Sequence, residues 1–580
     1  MQGGGNTLIY NAPNTHQILE NFDNKIQGAG QIGDSGGGYN LALRNDAGGA
    51  VNADLNGQTL VLNTGGGTTN LGILEATNGG ILQIGTTVSN AGGTIFGDGS
   101  TSSAVNLNGA TIQGGTLQGN VVLTGASTLD GSANTLNNQG TLTINNGVTG
   151  SILGTINNTG SIVMAGTGSG TYLSVAGNTT LQGGGTLTLQ GGGNTVVYNA
   201  VNNHQILENF NNTIQGVGQI GDNNGGYNLT LKNDTGGLVN ANISGGTLTL
   251  NANTTNAGTL EATGGGILAI TNATVNNSGG MISGSGAVVN LSGATIQGGT
   301  LNGNVHVAGE SLLDGSTQGT LNNQGVLTIN NGVRADIQGT INNSATILLA
   351  GTGSGTLLNI ANNTTLQGGG ALTLQGGGNT SIYNVSNNHQ VLENFDNHIL
   401  GTGVIGDNNG GYNLVLQNDS AGIVNANVSG ATLTLNTNTN NTGTLEATSG
   451  GILAITNATV NNNGGTISTD GSSVVNLSGA TIQGGTLNGN VYVTMKSLID
   501  GTTEGILTNA GTLTVNNGVP ADIQGTINNT GSILLAGTGS GTNLNIANNT
   551  TLQGGGTLTL QGGRNTLQRN QQSPGPGELQ

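Results

Sequence analysis

The chain has no cysteine, no tryptophan, four prolines and only 6% charged residues over 580 positions. The missing thiols exclude a disulfide framework and any thiolate metal site. Seven basic residues are present: Lys25, Arg44, Lys232, Arg334, Lys496, Arg564 and Arg569. They are too few and too scattered for a basic patch, and nucleic-acid binding needs clustered Lys and Arg to displace phosphate counterions. Nucleic acid is therefore excluded as a partner, and the same scarcity of cations argues against an anionic membrane surface. No apolar run reaches the roughly 18 residues of a membrane-spanning helix. The first residues, MQGGGNTLIY, contain neither the basic stretch nor the apolar stretch of a secretory signal. A chain working outside the cell would then be an internal piece of something longer.

What is present is glycine, 113 residues of it, with abundant Asn and Thr and 33% hydrophobic residues. Glycine disfavours helix by about 1 kcal/mol per position. The apolar fraction and the scarcity of Pro and Lys set the chain apart from ordinary disordered segments.

The chain repeats. NTHQILENFDNKIQGAGQIGDSGGGYNL at 14–41 returns at 202–229 and again at 387–414. His16, His204 and His389 mark the period, 188 and then 185 residues. The repeats are read as 1–190, 191–375 and 376–561, followed by a truncated repeat start and a disordered tail at 562–580. Within the second copy, short apolar segments centre on Leu260, Ile282, Leu301, Leu327, Ile347 and Leu366. Their alternation, as in GTLTI at 140–144, is that of strands with one buried face. Between them lie turn formers such as NNQG, NNTG and GGG. A strand beat near 20 residues predicts an all-β, parallel β-solenoid with coils of about that length, roughly nine per long repeat and about 28 in all. Inward Leu, Ile and Val form apolar columns, and Asn at matching turns forms amide ladders. An antiparallel sandwich or barrel is the alternative, and it leaves the beat unexplained.

The segments LENFNNTIQGVGQIG (207–221), NAGTLEATGGGIL (256–268) and GATIQGGTL (293–301) resemble repeats of very large bacterial surface proteins. These are the filamentous-haemagglutinin-like adhesins and autotransporter passengers, and the resemblance covers residues 1 to about 563. It implies a right-handed parallel β-helix, export to the cell surface, and a role in attachment or biofilm structure. The chain lacks the secretion-recognition domain and translocator barrel of those families.

Several constellations invite a chemical reading. Gly28, Gly30 and Gly33 have the spacing of a dinucleotide-binding turn, but DSGGGYNLALRND follows where a helix is required. The spacing recurs at Gly216, Gly218, Gly221 and at Gly401, Gly403, Gly406, as a solenoid corner would. Asp54 and Glu75 stand one coil apart, the arrangement of a glycan-cleaving pair, yet the second copy has Asn242 with Glu261 and the third Asn427 with Glu446. No catalytic residue and no cofactor is assigned. Asp34, Asp222 and Asp407 are the nearest approach to calcium ligands, but the calcium-loop consensus is missing and turn capping is the simpler role. The same holds for Asp130, Asp314 and Asp500, each before Gly. Phe22, Phe210 and Phe395 recur with Tyr39, Tyr227 and Tyr412, and the expectation is that these aromatics fill a wider cross-section. Exposed on the surface instead, Tyr39, Tyr227, Tyr412, His16, His204 and His389 would touch a glycan or protein receptor. Taken together, the sequence suggests a non-enzymatic extracellular stalk or adhesin segment stacked on neighbouring coils of a longer chain. A carbohydrate-active β-helix enzyme and a purely structural matrix filament are the alternatives.

Overall fold

The computed structural model describes residues 1, 7–12, 15–33, 40–100, 102–199, 204–221, 229–385, 389–406, 414–562 and the backbone of 566–569. The tail expected to be disordered lies largely outside them. Two compact units are present, Met1–Ala294 and Thr295–Gln580, and their boundary falls inside the second long repeat. Among the described residues there is no α-helix, only the single 3₁₀ turns Gly192–Asn194 and Gly377–Asn379, and no helix able to cross a membrane.

The N-terminal unit is a parallel β-solenoid with three faces. Leu8–Ile9 lies on the first face, Ile18–Asn21 on the second and Lys25–Gln27 on the third. Gly30–Gly33 then returns to the first face and pairs in parallel with Leu8–Ile9. The register builds columns directly. On the first face Leu60, Leu82, Val105, Val121, Leu142 and Ile162 stack in turn, each no more than 1% exposed. Each such side chain removed from water contributes about 1.5–3 kcal/mol. The alternating Thr, Gln and Asn face outward, so the period of two in the sequence becomes inside and outside.

The C-terminal unit has the same plan. On one of its faces Thr295–Gln297, Ser311–Gly315 and Arg334–Asn343 pair in succession, all parallel. Some strands serve two faces: Arg334–Asn343 carries a register irregularity between Ile337 and Gly339, where the chain turns. Gly339 has φ +72 there, and a side chain would press on the Gly315 carbonyl carbon at 2.6 Å.

Inside the corners run ladders of buried asparagine. Asn21, Asn45, Asn70 and Asn90 are linked amide to amide at 2.7–2.8 Å. Asn209, Asn233, Asn256 and Asn277 repeat the arrangement, as do Asn394, Asn418, Asn441 and Asn462 in the C-terminal unit. Asn233 also meets neighbouring backbone carbonyls, at Gly237 and Thr259, as Asn45 does at Gly49 and Ile73 and Asn418 at Gly422 and Thr444. These ladders satisfy polar groups that would otherwise be buried without partners.

The coil of about 20 residues is close to what is found, with spans from 16 residues (Val105 to Val121) to 30 (Gly30 to Leu60). Two expectations need correction. The long repeat holds neither nine coils nor a whole number. In the N-terminal unit, eight rungs separate Ile18–Asn21 from Thr195–Tyr198 on the second face. The repeat copy of Ile18–Asn21 is Ile206–Asn209, one face further on. In the C-terminal unit the shift is the same: Thr481–Gln483 repeats Thr295–Gln297 eight rungs and one face later. The apolar beat also mixed faces. Leu327 does stack on Ile347, but Leu366 stacks on Ile341.

Candidate functional site

The glycine triplet at 28–33 ends in strand Gly30–Gly33, with φ of +114, +143 and +85 at its three glycines. It is a solenoid corner and strand, as read. Asp34, Asp222, Asp407, Tyr39, Tyr227 and Tyr412 lie outside the described residues. His16, His204 and His389 are all exposed, and each adopts a left-handed backbone with φ of 51, 56 and 57. Non-glycine residues enter that region uncommonly. The His16 ring Nε2 lies 3.4 Å from Asn40 Nδ2.

The strand after each histidine carries the surface. In Ile206–Asn209, Leu207 and Asn209 point inward and are fully buried. Parity sends Ile206, Glu208 and Phe210 outward. Phe22, Phe210 and Phe395 are 69%, 50% and 51% exposed. They do not fill a wide interior: in the second and third copies the inward positions of the strand are held by Leu207 with Asn209 and by Leu392 with Asn394. Ile18 and Ile206 are exposed beside them. Tyr172 and Tyr198, by contrast, meet at a ring distance of 5.4 Å.

Next to this apolar strip runs a charged ladder. Register places Arg44 over Glu20, Lys232 over Glu208, and Gln417 over Glu393. Arg44 Nε contacts Asp46 at 2.8 Å and Glu20 at 3.4 Å. Lys232 Nζ bonds Glu208 and lies 3.2 Å from Asp234. In the third copy the Gln417 amide donates to Glu393 at 3.1 Å and to Asp419 at 3.0 Å. Thr180 and Thr365 hydroxyls complete Glu208 and Glu393 at 2.7 and 2.6 Å. Hydrogen bonds from Lys232 and then Thr180 hold the Glu208 carboxyl below its usual range, and Glu208 raises the Lys232 ammonium. The hydrogen bond to Asp46 raises the Arg44 guanidinium.

Two shallow open grooves flank these ladders. One is lined by Ile18, Arg44, Gly66, Gly67, Thr69 and Ser89, the other by Gly154, Thr155, Asn178, Thr180, Ile206 and Lys232. They share the equivalent residues Ile18 with Ile206 and Arg44 with Lys232, but the first runs over the coils after Ile18 and the second over the coils before Ile206; nothing in the sequence reading singled them out. The signal was available. Glu20 to Arg44 is one coil, and the inward Leu19 and Asn21 set the outward parity of Ile18, Glu20 and Phe22.

The remaining acids do other work. Asp314 accepts from Ser316 N and Thr317 N at 2.8 and 3.1 Å, capping a turn. Burial opposes its ionisation, but the bonds from Ser316, Thr317 and Gln338 outweigh it and the carboxyl is lowered well below its usual range. Asp500 and Asp130 cap their turns through Thr502 N and Ser132 N. Glu75 pairs in register with Asn52 rather than Asp54, and it faces Lys25 at 3.5 Å. Glu261 and Glu446 accept from Asn240 and Asn425 at 2.7 Å, and burial raises both carboxyls. Among the described residues no three His, Asp or Glu gather in a way that would hold a metal ion. No protein-family model matches the chain, and a search of curated proteins finds no significant match.

Proposed function

We propose that the chain is a non-enzymatic, extracellular stalk or adhesive segment of a large bacterial surface protein, serving attachment to a host or matrix receptor or biofilm structure. The observation that carries this reading is the return of one exposed surface in every long repeat: Phe22, Phe210 and Phe395, each beside a Glu-centred ladder. Large apolar side chains held outward cost solubility unless something covers them, and recurrence multiplies contacts to a partner. Stacked coils locked by apolar columns and Asn ladders supply a framework that needs no disulfide outside the cell.

The test is retention of bacterial or host cells and of extracted matrix on surfaces coated with the purified chain. Retention that falls at least tenfold when Phe22, Phe210 and Phe395 are all changed to Ser supports the reading. Absence of retention on every surface, or release of new reducing ends from polysaccharide incubated with the chain, contradicts it.

A further inference from the structure

Resting on that adhesive reading, we infer that the two grooves of the N-terminal unit each bind a neutral polysaccharide strand and, because they face different sides, tie separate strands together. The lining sets the ligand class. Thr69, Thr87 and Ser89 in one groove, and Thr155 in the other, offer hydroxyls to a polyhydroxylated chain; Asn178 adds its amide NH2, its oxygen being taken by Ile206 N, and Thr180 adds an acceptor oxygen, its hydrogen going to Glu208. Ile18 and Ile206 supply apolar walls, and glycines keep the floors low. Phe22 and Phe210 follow directly on the last residues of the same strands, about 13 Å from Ile18 and Ile206 at strand rise, a reach of more than one sugar ring. Their rings offer an apolar face to the C–H side of a sugar.

Charge narrows the class. Arg44 and Lys232 are each engaged by two carboxylates of their own ladder, so a polyanion finds its cation already taken. A formal net charge of −18 repels it further. Glu208 is held by both Lys232 and Thr180, which leaves a basic peptide no uncommitted carboxylate. A neutral strand pays neither cost.

The eight-coils-and-one-face step sets the geometry. Ile18–Asn21 lies on the second face and Ile206–Asn209 on the third. About eight rungs at ~4.8 Å put roughly 40 Å between them along the unit. A straight strand lying along one face meets only one groove.

The experiment uses the full chain carrying Phe395→Ala, so that the third copy makes no contribution. Calorimetry with cellohexaose, chitohexaose, maltohexaose and mannohexaose is expected to find two sites for at least one of them. Phe22→Ala and Phe210→Ala each remove one site, and together they remove both. Both rings are exposed, and Ile18→Ser and Ile206→Ser provide a second pair with the same expected losses. The polymer of the bound sugar thickens when the two-site chain is added, and either single change abolishes the thickening. Binding of none of the four hexasaccharides overturns the inference, as does unchanged stoichiometry in the variants. Heparin or polylysine binding that is lost with the same substitutions overturns it in favour of a charged partner. Tight polymer binding without thickening shows both grooves on one strand and also overturns it. Cell retention that persists without sugar binding sinks this inference alone, whereas loss of both sinks the adhesive reading.

Discussion

Two ladders run side by side on the same strands and behave differently. The inner one, Asn209–Asn233–Asn256–Asn277, has the same residue at every rung, and so do its counterparts from Asn21 and from Asn394. The outer one, a single residue away in sequence, holds Arg44, Lys232 and Gln417 at equivalent positions. The difference is solvent. A buried amide must find donor and acceptor in its neighbours above and below, and only another Asn of equal length reaches both. The outer side chains have water as a fallback, so guanidinium, ammonium and amide all serve between the same two carboxylates.

Breaking the inner ladder has the largest expected effect. Asn233→Ala removes bonds to Asn209, Asn256, Gly237 and Thr259 and leaves buried groups unpaired, at a cost of about 3 kcal/mol. Amide hydrogen exchange in the flanking rungs measures it. Gly115→Ala comes next. Gly115 has φ +74, and its added Cβ would meet the Asn90 carbonyl oxygen at 1.9 Å, at the end of the first ladder. About 2 kcal/mol is expected from the backbone conformation alone, read from the denaturant midpoint. Lys232→Gln, which copies the third repeat, is expected to change stability by less than about 1 kcal/mol.

The smallest effect is in pH dependence, and it sharpens the contrast by its sign. Glu208 has a lowered folded pKa, so its contribution is present above its unfolded pKa, near 4.3. That contribution is lost as pH falls through the lower folded value. Lys232→Gln is expected to flatten the stability profile below about pH 4.3. Glu261, raised by burial, has the opposite sign: its contribution is full at low pH and lost as pH rises through the folded pKa. Glu261→Gln therefore flattens the profile just above that range. Titration of the unfolding midpoint reads both.

The parallel solenoid, the glycine corners and the Asn ladders were legible because each follows from local residue type and from alternation. Leu142 and Ile144 announce their inward parity, and Asn at successive turns announces the ladder. The coil count and face assignments were not legible. All three strands of a coil look alike in sequence, so the spacing between Leu301, Leu327 and Ile347 does not say which of them stack. The outward Phe22, Phe210 and Phe395 were misassigned for a related reason: bulk alone suggests burial, while the neighbouring Asn21, Asn209 and Asn394 hold the inward positions.

Disulfide trapping in this cysteine-free chain tests the one-face step most directly. In-register parallel neighbours stand close enough for a bond, and Thr180 is the register partner of Glu208. The pair Thr180→Cys with Glu208→Cys is expected to oxidise readily, while Ser174→Cys with Glu208→Cys stays reduced. Rapid closure of the Ser174 pair, with the Thr180 pair open, would mean that each repeat completes whole coils, and the two grooves would not lie on different faces.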